Sequence, residues 1–227
     1  MLAFAKLHGS WSCRRSHWYV PDIARRGRRP SELLPILETR HRVSALVPPH
    51  HPATVDLQVP FGQFSLRRVD PDHDLDLVHV WMNDPDVASS WKMPWPRDRI
   101  ARYLREQDRS TQSTAYLGVL DGVPMSYWEL YRADLDPLAQ HYSAREHDAG
   151  IHVLLGPAEC RGRGLAAGLL RAVSSWQLEA DPLATRVVGE PEASNERLIR
   201  AGERAGFVRV TDLDLPNKRA ALMIRER

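Results

Sequence analysis

Residues 161–166 read RGRGLA and open an apolar run, GLAAGLLRAVSSWQLEA (164–180), that has helical spacing. Glycine is a poor helix former, so two of them at a helix start ask for a reason. The first turn of a helix carries backbone N–H groups with no internal partner. The helix dipole adds partial positive charge there. Together they make an anion site, suited above all to a phosphate. Gly162 and Gly164 would let such a group approach the backbone closely, and Arg161 and Arg163 would add charge-assisted donors. The competing reading is a tight turn that serves packing alone. The segment is not a Walker A loop, because no Gly-Lys-Ser/Thr follows. Nor is it the G-x-G-x-x-G of a βαβ unit, since a hairpin precedes the strand that leads into it.

That loop needs a strand before it and a sheet around it. FSLRRV (64–69) alternates like a strand, and residues 70–83 carry apolar side chains at helical spacing. DPDVASSWKMPWP (84–96) reads as a turn-rich link, and RDRIARYLREQD (97–108) as an amphipathic helix. TAYLGVL (114–120) and PMSYWELYR (124–132) flank Asp121-Gly122, a hairpin signal. An irregular segment leads to the strand AGIHVLLG (149–156), and the helix from 164 follows. A strand over 185–190, a helix over 195–206 and strands over 207–215 and 218–226 complete the chain. The order is β-α-α-β-β-β-α-β-α-β-β, an α+β arrangement.

Residues 1–60 are Arg-, His- and Pro-rich with little periodicity, and are expected to form a mostly flexible extension before a domain over 61–227. One short helix capped by Ser31 fits within 30–46, and VPPHHPATV (47–55) reads as an extended linker. This extension holds nine Lys/Arg against four Asp/Glu, while the remainder holds 22 against 25. The basic excess therefore lies off the domain, which argues against a nucleic-acid surface. Only Lys6, Lys92 and Lys218 are lysines among 31 basic residues, a bias that reads as codon composition. Two distant cysteines, Cys13 and Cys160, suggest no disulfide framework and fit a reducing cytoplasm. Arg14-Arg15-Ser16 is not followed by the apolar run of a secretory signal, and no stretch is apolar enough to span a membrane. His50-His51 lack further suitably spaced ligands, so no metal is expected.

Within the domain, Glu129 lies between Trp128 and Leu130 on an apolar strand and wants a partner. A cationic amine would serve. Trp91 and Tyr127 are candidates to line the same pocket, against the ordinary reading of buried aromatics as core. Lys218-Arg219 read as a solvated strand edge, and Cys160 as a bystander.

RGRGLA, entered from IHVLLG, resembles the R/Q-x-x-G-x-G/A acyl-CoA loop of the GNAT superfamily of N-acetyltransferases, whose element order is also the one above. SNERLIRAGERAGFVRV (194–210) is similar to that family's second cofactor motif, with Asn195 and a terminal Gly206-Phe207. Within the family, four segments (76–91, 126–142, 187–195 and 214–223) resemble the siderophore-biosynthetic acyltransferases of the aerobactin, rhizobactin, alcaligin, desferrioxamine and mycobactin type. The resemblance implies a GNAT fold, with a mixed, mostly antiparallel sheet flanked by helices. It implies acetyl-CoA or another acyl-CoA as co-substrate, and an amine or N-hydroxylamine as acceptor. Backbone N–H groups of Val153, Leu154 and Leu155 would meet the oxyanion, and Arg161, Gly162, Arg163, Gly164, Leu165, Ala166 and Asn195 would hold the cofactor. Many members place a Tyr seven residues after the Asn; here that position is Gly202. The branch implies a His and an acidic residue instead, which by motif fall on His141 and Glu190. His141 suits a base, its ordinary pKa lying near neutrality. An aminoglycoside-type acetyltransferase and a non-catalytic CoA-binding sensor are the alternatives. Monomer and homodimer are both open.

Overall fold

The computed structural model describes residues 51–227. The expectations for the short helix within 30–46, Cys13 and His50 lie outside them. Eight strands form one sheet: β1 (Thr54–Val59), β2 (Gly62–Arg68), β3 (Ser113–Leu120), β4 (Val123–Arg132), β5 (Ala149–Leu155), β6 (Arg186–Gly189), β7 (Val208–Leu215) and β8 (Lys218–Glu226). Their spatial order is β1-β2-β3-β4-β5-β6-β8-β7, and every pair is antiparallel except β5–β6. Five α-helices accompany them: α1 (Leu75–Asn83), α2 (Pro85–Trp91), α3 (Arg97–Asp108), α4 (Leu165–Ala180) and α5 (Glu196–Ala205).

The α+β architecture follows the expected order, with two additions. Strand β1 occupies part of the stretch read as linker, so the sheet begins at Thr54 and not after residue 60. Its pairing with β2, from Thr54↔Arg67 to Val59↔Gly62, supplies the order that its own sequence does not announce. Helix α2 replaces the turn-rich link. Asp84 caps it by accepting from the N–H groups of Asp86 and Val87, and Pro85 stands in its first turn, where a missing N–H costs nothing.

The sheet buries two apolar faces. Helices α4 and α5 cover one, packing on residues such as Phe64, Trp128, Ile151, Val153 and Met223. Helices α1, α2 and α3 cover part of the other, over Leu117, Tyr127 and Leu154. A third cluster on that second face lies farther along, around Tyr131, Val188, Leu222 and Ile224. Strand alternation therefore places Tyr127, Glu129 and Tyr131 on the second face, with Glu129 at the seam between the two clusters.

Strand β5 ends in a junction held by Arg161. Its Nε donates to Leu155 O (3.1 Å), one terminal nitrogen to Gly156 O, and the other to Asp84 Oδ1 (2.9 Å). The guanidinium thus ties the end of β5 to the cap of α2. Its side chain is 8% exposed, so removal strands partners that water does not easily reach. Arg161→Ala is expected to lower stability by about 2–3 kcal/mol, or roughly 5–10 °C in Tm for a domain of this size. Thermal denaturation followed by circular dichroism checks it. An unchanged Tm would mean that the guanidinium is free for a ligand.

Candidate active site

The site is built from one cross-strand pair. Glu129 on β4 stands opposite His152 on β5, and the His152 Nδ1 lies 3.2 Å from Glu129 Oε2. The other Glu129 oxygen accepts from the hydroxyls of Tyr103 and Tyr127 (3.0 Å for Tyr127). Across the sheet, Glu190 follows directly after β6. Its Oε1 lies 2.8 Å from His152 Nε2, and its Oε2 accepts from the Tyr131 hydroxyl at 3.2 Å. The same hydroxyl is 3.2 Å from His152 Nε2. Tyr131 fits because its cross-strand partner is Gly150. A Cβ there would lie 2.3 Å from the Tyr131 ring, so any side chain at 150 would push the phenol out of the cluster.

Glu129, His152, Glu190 and Lys218 are all buried. Burial disfavours a charged His152, but Glu190 and Glu129 outweigh it and raise its pKa to about 9. Burial likewise disfavours an ionised Glu190. His152, Lys218 and the hydrogen bonds from His152 and Tyr131 oppose this and hold its pKa at about 2. At neutral pH the pair is therefore an imidazolium and a carboxylate. Lys218 was expected at a solvated edge. Instead its Nζ donates to Glu190 O (2.5 Å) and sits 3.5 Å from Glu190 Oε1. The hairpin from Leu215 to Lys218 turns the side chain inward at the first residue of β8.

A gap opens beside this cluster. Strands β5 and β6 pair only at Ala149↔Val187 and Gly150↔Val188, and part beyond. The Gly156 N–H donates to Met125 O on β4 (3.0 Å). By alternation Leu154 also turns its N–H toward β4, whereas Val153 and Leu155 turn theirs into the gap. Of the three expected backbone donors, Val153 and Leu155 are so placed. Strand β5 itself runs on, through the loop after it, to the start of α4. Gly162 and Gly164 have φ of 73° and 79°, the left-handed region, and a Cβ at either would meet nothing within 4 Å. That space is open, and Gly164 caps the helix without a side-chain hydrogen bond, leaving first-turn N–H groups available. Arg163 is exposed here and Ala166 is buried, while Leu165 is half-buried; Arg161 is occupied by the junction described above. Asn195 caps α5, its Oδ1 accepting from Leu198 N at 3.3 Å. A Cβ at Gly202 would lie 3.3 Å from Met223 Cε, so α5 packs close on β8 at the position where a Tyr was sought.

The structure joins Glu190 to His152, Tyr131 and Lys218; His141 is not among its partners. His141 is exposed, at the end of a short 3₁₀ turn, Pro137–Gln140. Glu129 already has Tyr103, Tyr127 and His152 as partners, without recourse to a ligand's amine. Trp91 is fully buried and lies edge-on to Tyr127 and His152, with ring centroids 5.8 and 6.3 Å apart. Its indole Nε1 has no hydrogen-bond partner among the described residues. His152, held between Glu129 and Glu190, was not singled out in the sequence. A polar side chain in the apolar strand AGIHVLL was the available signal, the same signal that singled out Glu129.

Comparison with known proteins supports the same fold and family. The acetyltransferase (GNAT) domain family matches residues 70–215. A lysine N-acyltransferase MbtK of Mycobacterium sp. (strain MCS) is 36% identical over 70% of this chain and 65% of its own length. The N(6)-hydroxylysine O-acetyltransferase of Escherichia coli is 34% identical over 72% of this chain and 52% of its own. The chain thus spans about half to two thirds of the length of these two relatives. The solved structure of AAC(6')-Ib with paromomycin and acetyl-CoA is similar with a TM-score of 0.62 and 29% identity, over 71% of this chain and 92% of that one. A mostly antiparallel sheet with parted parallel strands, an open glycine loop at the helix they lead to and a family match over most of the domain give one conclusion: the chain belongs to the GNAT acetyltransferase family.

Proposed function

We propose that this protein is an acyl-CoA-dependent N-acyltransferase that acylates an N-hydroxylated amine, such as hydroxylysine or hydroxycadaverine, toward a hydroxamate siderophore. The observation that carries the reading is the buried Glu190–His152 pair beside the parted strands β5 and β6. The residues fit an acyl-CoA. The open loop at Gly162 and Gly164 suits a pyrophosphate, with Arg163 beside it. The Val153 and Leu155 N–H groups suit the pantetheine amides and the thioester oxygen. The named activities of the relatives, on lysine and on N(6)-hydroxylysine, support the acceptor class.

The chemistry is attack of a neutral nitrogen on a thioester carbonyl. A hydroxylamine is less basic than an alkylamine and is neutral near pH 7, so the site must position it more than deprotonate it. As the C–N bond forms, the nitrogen becomes acidic, and even a carboxylate of lowered basicity takes its proton. Glu190 is that carboxylate, with the His152 imidazolium as counter-ion. When the C–S bond breaks, Glu190 returns the proton to the thiolate, so one carboxylate serves where a Tyr at 202 would otherwise act. AAC(6')-Ib similarity keeps an aminoglycoside acceptor as the second reading.

Release of free CoA tests both. Acetyl-CoA and succinyl-CoA are each offered N-hydroxycadaverine, N-hydroxylysine, N-hydroxyornithine and kanamycin. Turnover is expected on a hydroxylamine, and turnover on kanamycin alone would favour the second reading. His152→Gln and Glu190→Gln are expected to lower kcat by about 10²–10⁴-fold, while His141→Ala leaves it within about twofold, as for an exposed residue off the pair. CoA binding without turnover on any acceptor would point to a sensor.

The pH profile carries a separate expectation. His152 has a raised pKa, so the charged pair persists below about 9 and is lost as pH rises through that value. With a hydroxylamine acceptor, kcat/KM is expected to fall above about 9. A profile that rises through the same range would make neutral His152 the acting base.

A further inference from the structure

We infer that Lys218 is a positioning residue for the acyl transfer, holding the Glu190 carboxylate ionised and in a single orientation against His152. The inference rests on the reading of Glu190 and His152 as the acting pair.

Three observations carry it. First, the Lys218 ammonium touches Glu190 twice, at its backbone oxygen (2.5 Å) and at its carboxylate Oε1 (3.5 Å). One point charge that spans the backbone and the side-chain terminus of the same residue restrains the torsions between them. The Oε1 it approaches is the oxygen that meets His152 Nε2.

Second, the charges depend on one another. Glu190, His152 and Lys218 meet in the interior, where burial pushes the Lys218 pKa down and the Glu190 carboxylate opposes that shift. The side chains of Lys218 and Glu190 are each 1% exposed, so no solvent screens an imbalance. Without Lys218, Glu190 would lose one of the two cations that hold it ionised against burial, and would take a proton more readily. A protonated Glu190 cannot receive the proton of the attacking nitrogen.

Third, the residue type is informative. The chain has 31 Lys and Arg, of which Lys6, Lys92 and Lys218 alone are lysines. Lys218 is the one of these that is buried among the described residues. A planar guanidinium is wider and presents a fork suited to two oxygens of one carboxylate. Lys218 must instead reach a carbonyl and a carboxylate oxygen at the mouth of the β7–β8 hairpin. Lys92 lies on the same side, 3.8 Å from Glu192 Oε1, and is half-exposed, so it does not replace Lys218.

The backbone around Glu190 has its own anchors. Ala221 N–H donates to Pro191 O (2.8 Å), and Ala193 N–H to Arg219 O (2.9 Å). These bonds hold the chain on β8 without any help from the Lys218 side chain. Loss of Lys218 should therefore free the carboxylate more than the backbone.

The test compares Lys218→Met, Lys218→Arg, Glu190→Gln and the double variant Lys218→Met/Glu190→Gln. Each is assayed over pH with a hydroxylamine acceptor and acyl-CoA. Lys218→Met is expected to lower kcat by at least about tenfold, with the KM for acyl-CoA within about twofold. Its acid limb, set by Glu190, should move to higher pH, because a neighbouring positive charge has been removed. Its alkaline limb, set by His152, should move the same way. Lys218→Arg should keep both limbs near their wild-type positions with a lower kcat. In the Glu190→Gln background, Lys218→Met should add little further loss, since it acts through Glu190.

A purely structural role would give a lower Tm with both limbs in place, and that outcome overturns the inference. So would additive losses in the double variant. If Lys218→Met does not fold, Lys218→Arg and the ¹⁵N shift of the His152 ring as a function of pH decide the same question: an unchanged His152 midpoint in Lys218→Arg with undiminished kcat would remove any need for an ammonium. Full turnover in Glu190→Gln would instead refute the underlying pair, whatever Lys218 does.

Discussion

The site depends on charge balance in a place that water does not reach. An isolated charge in the interior carries a large desolvation cost, and a protein ordinarily avoids it by neutralising the group. Here Glu129, Glu190, His152 and Lys218 stand at the seam between two apolar clusters of one sheet face. Each satisfies another, and the tyrosines at 103, 127 and 131 supply the remaining donors. The local polarity of the cluster then sets its chemistry. His152 is held protonated and Glu190 ionised by each other, so the pair is already polarised.

The rest of the fold positions that pair. Strands β4 and β5 fix Glu129 opposite His152 through antiparallel register. The short parallel contact between β5 and β6 brings Glu190 alongside and then lets the strands part. That parting leaves the Val153 and Leu155 N–H groups without a ladder partner on β6, next to His152 and Glu190. The same strand leads into the glycine loop, so the loop, the backbone donors and His152 lie along one continuous stretch of chain, which Glu190 joins from the end of β6. Arg161 is the brace of this arrangement. The sequence suggested a phosphate ligand for it, but its donors are used on Leu155, Gly156 and Asp84.

Much of this was legible in residue types. The helix after 164, the hairpin at Asp121-Gly122 and the α+β order follow from periodicity and turn chemistry, which are local properties. The glycine loop was legible because a helix start with two glycines contradicts local propensity. Strand β1 and helix α2 were not, since β1 borrows its order from β2 and α2 begins among turn-forming residues whose capping role appears only in place. Glu129 announced itself as a carboxylate in an apolar strand, and His152 carried the same signal in β5 without being read.

What the sequence by itself determined is the set of elements and the presence of buried polar groups that must find partners. Apolar periodicity and propensity act over a few residues, so they survive in the linear record. Only the tertiary structure decided which groups became partners. Positions 129, 152, 190 and 218 come from four different strands or strand ends, and their meeting depends on register and sheet order. A one-residue slip would turn His152 away from Glu129, because strand side chains alternate between faces. No spacing along the chain encodes that, which is why His141 and His152 look alike in sequence while only His152 is held between the two carboxylates.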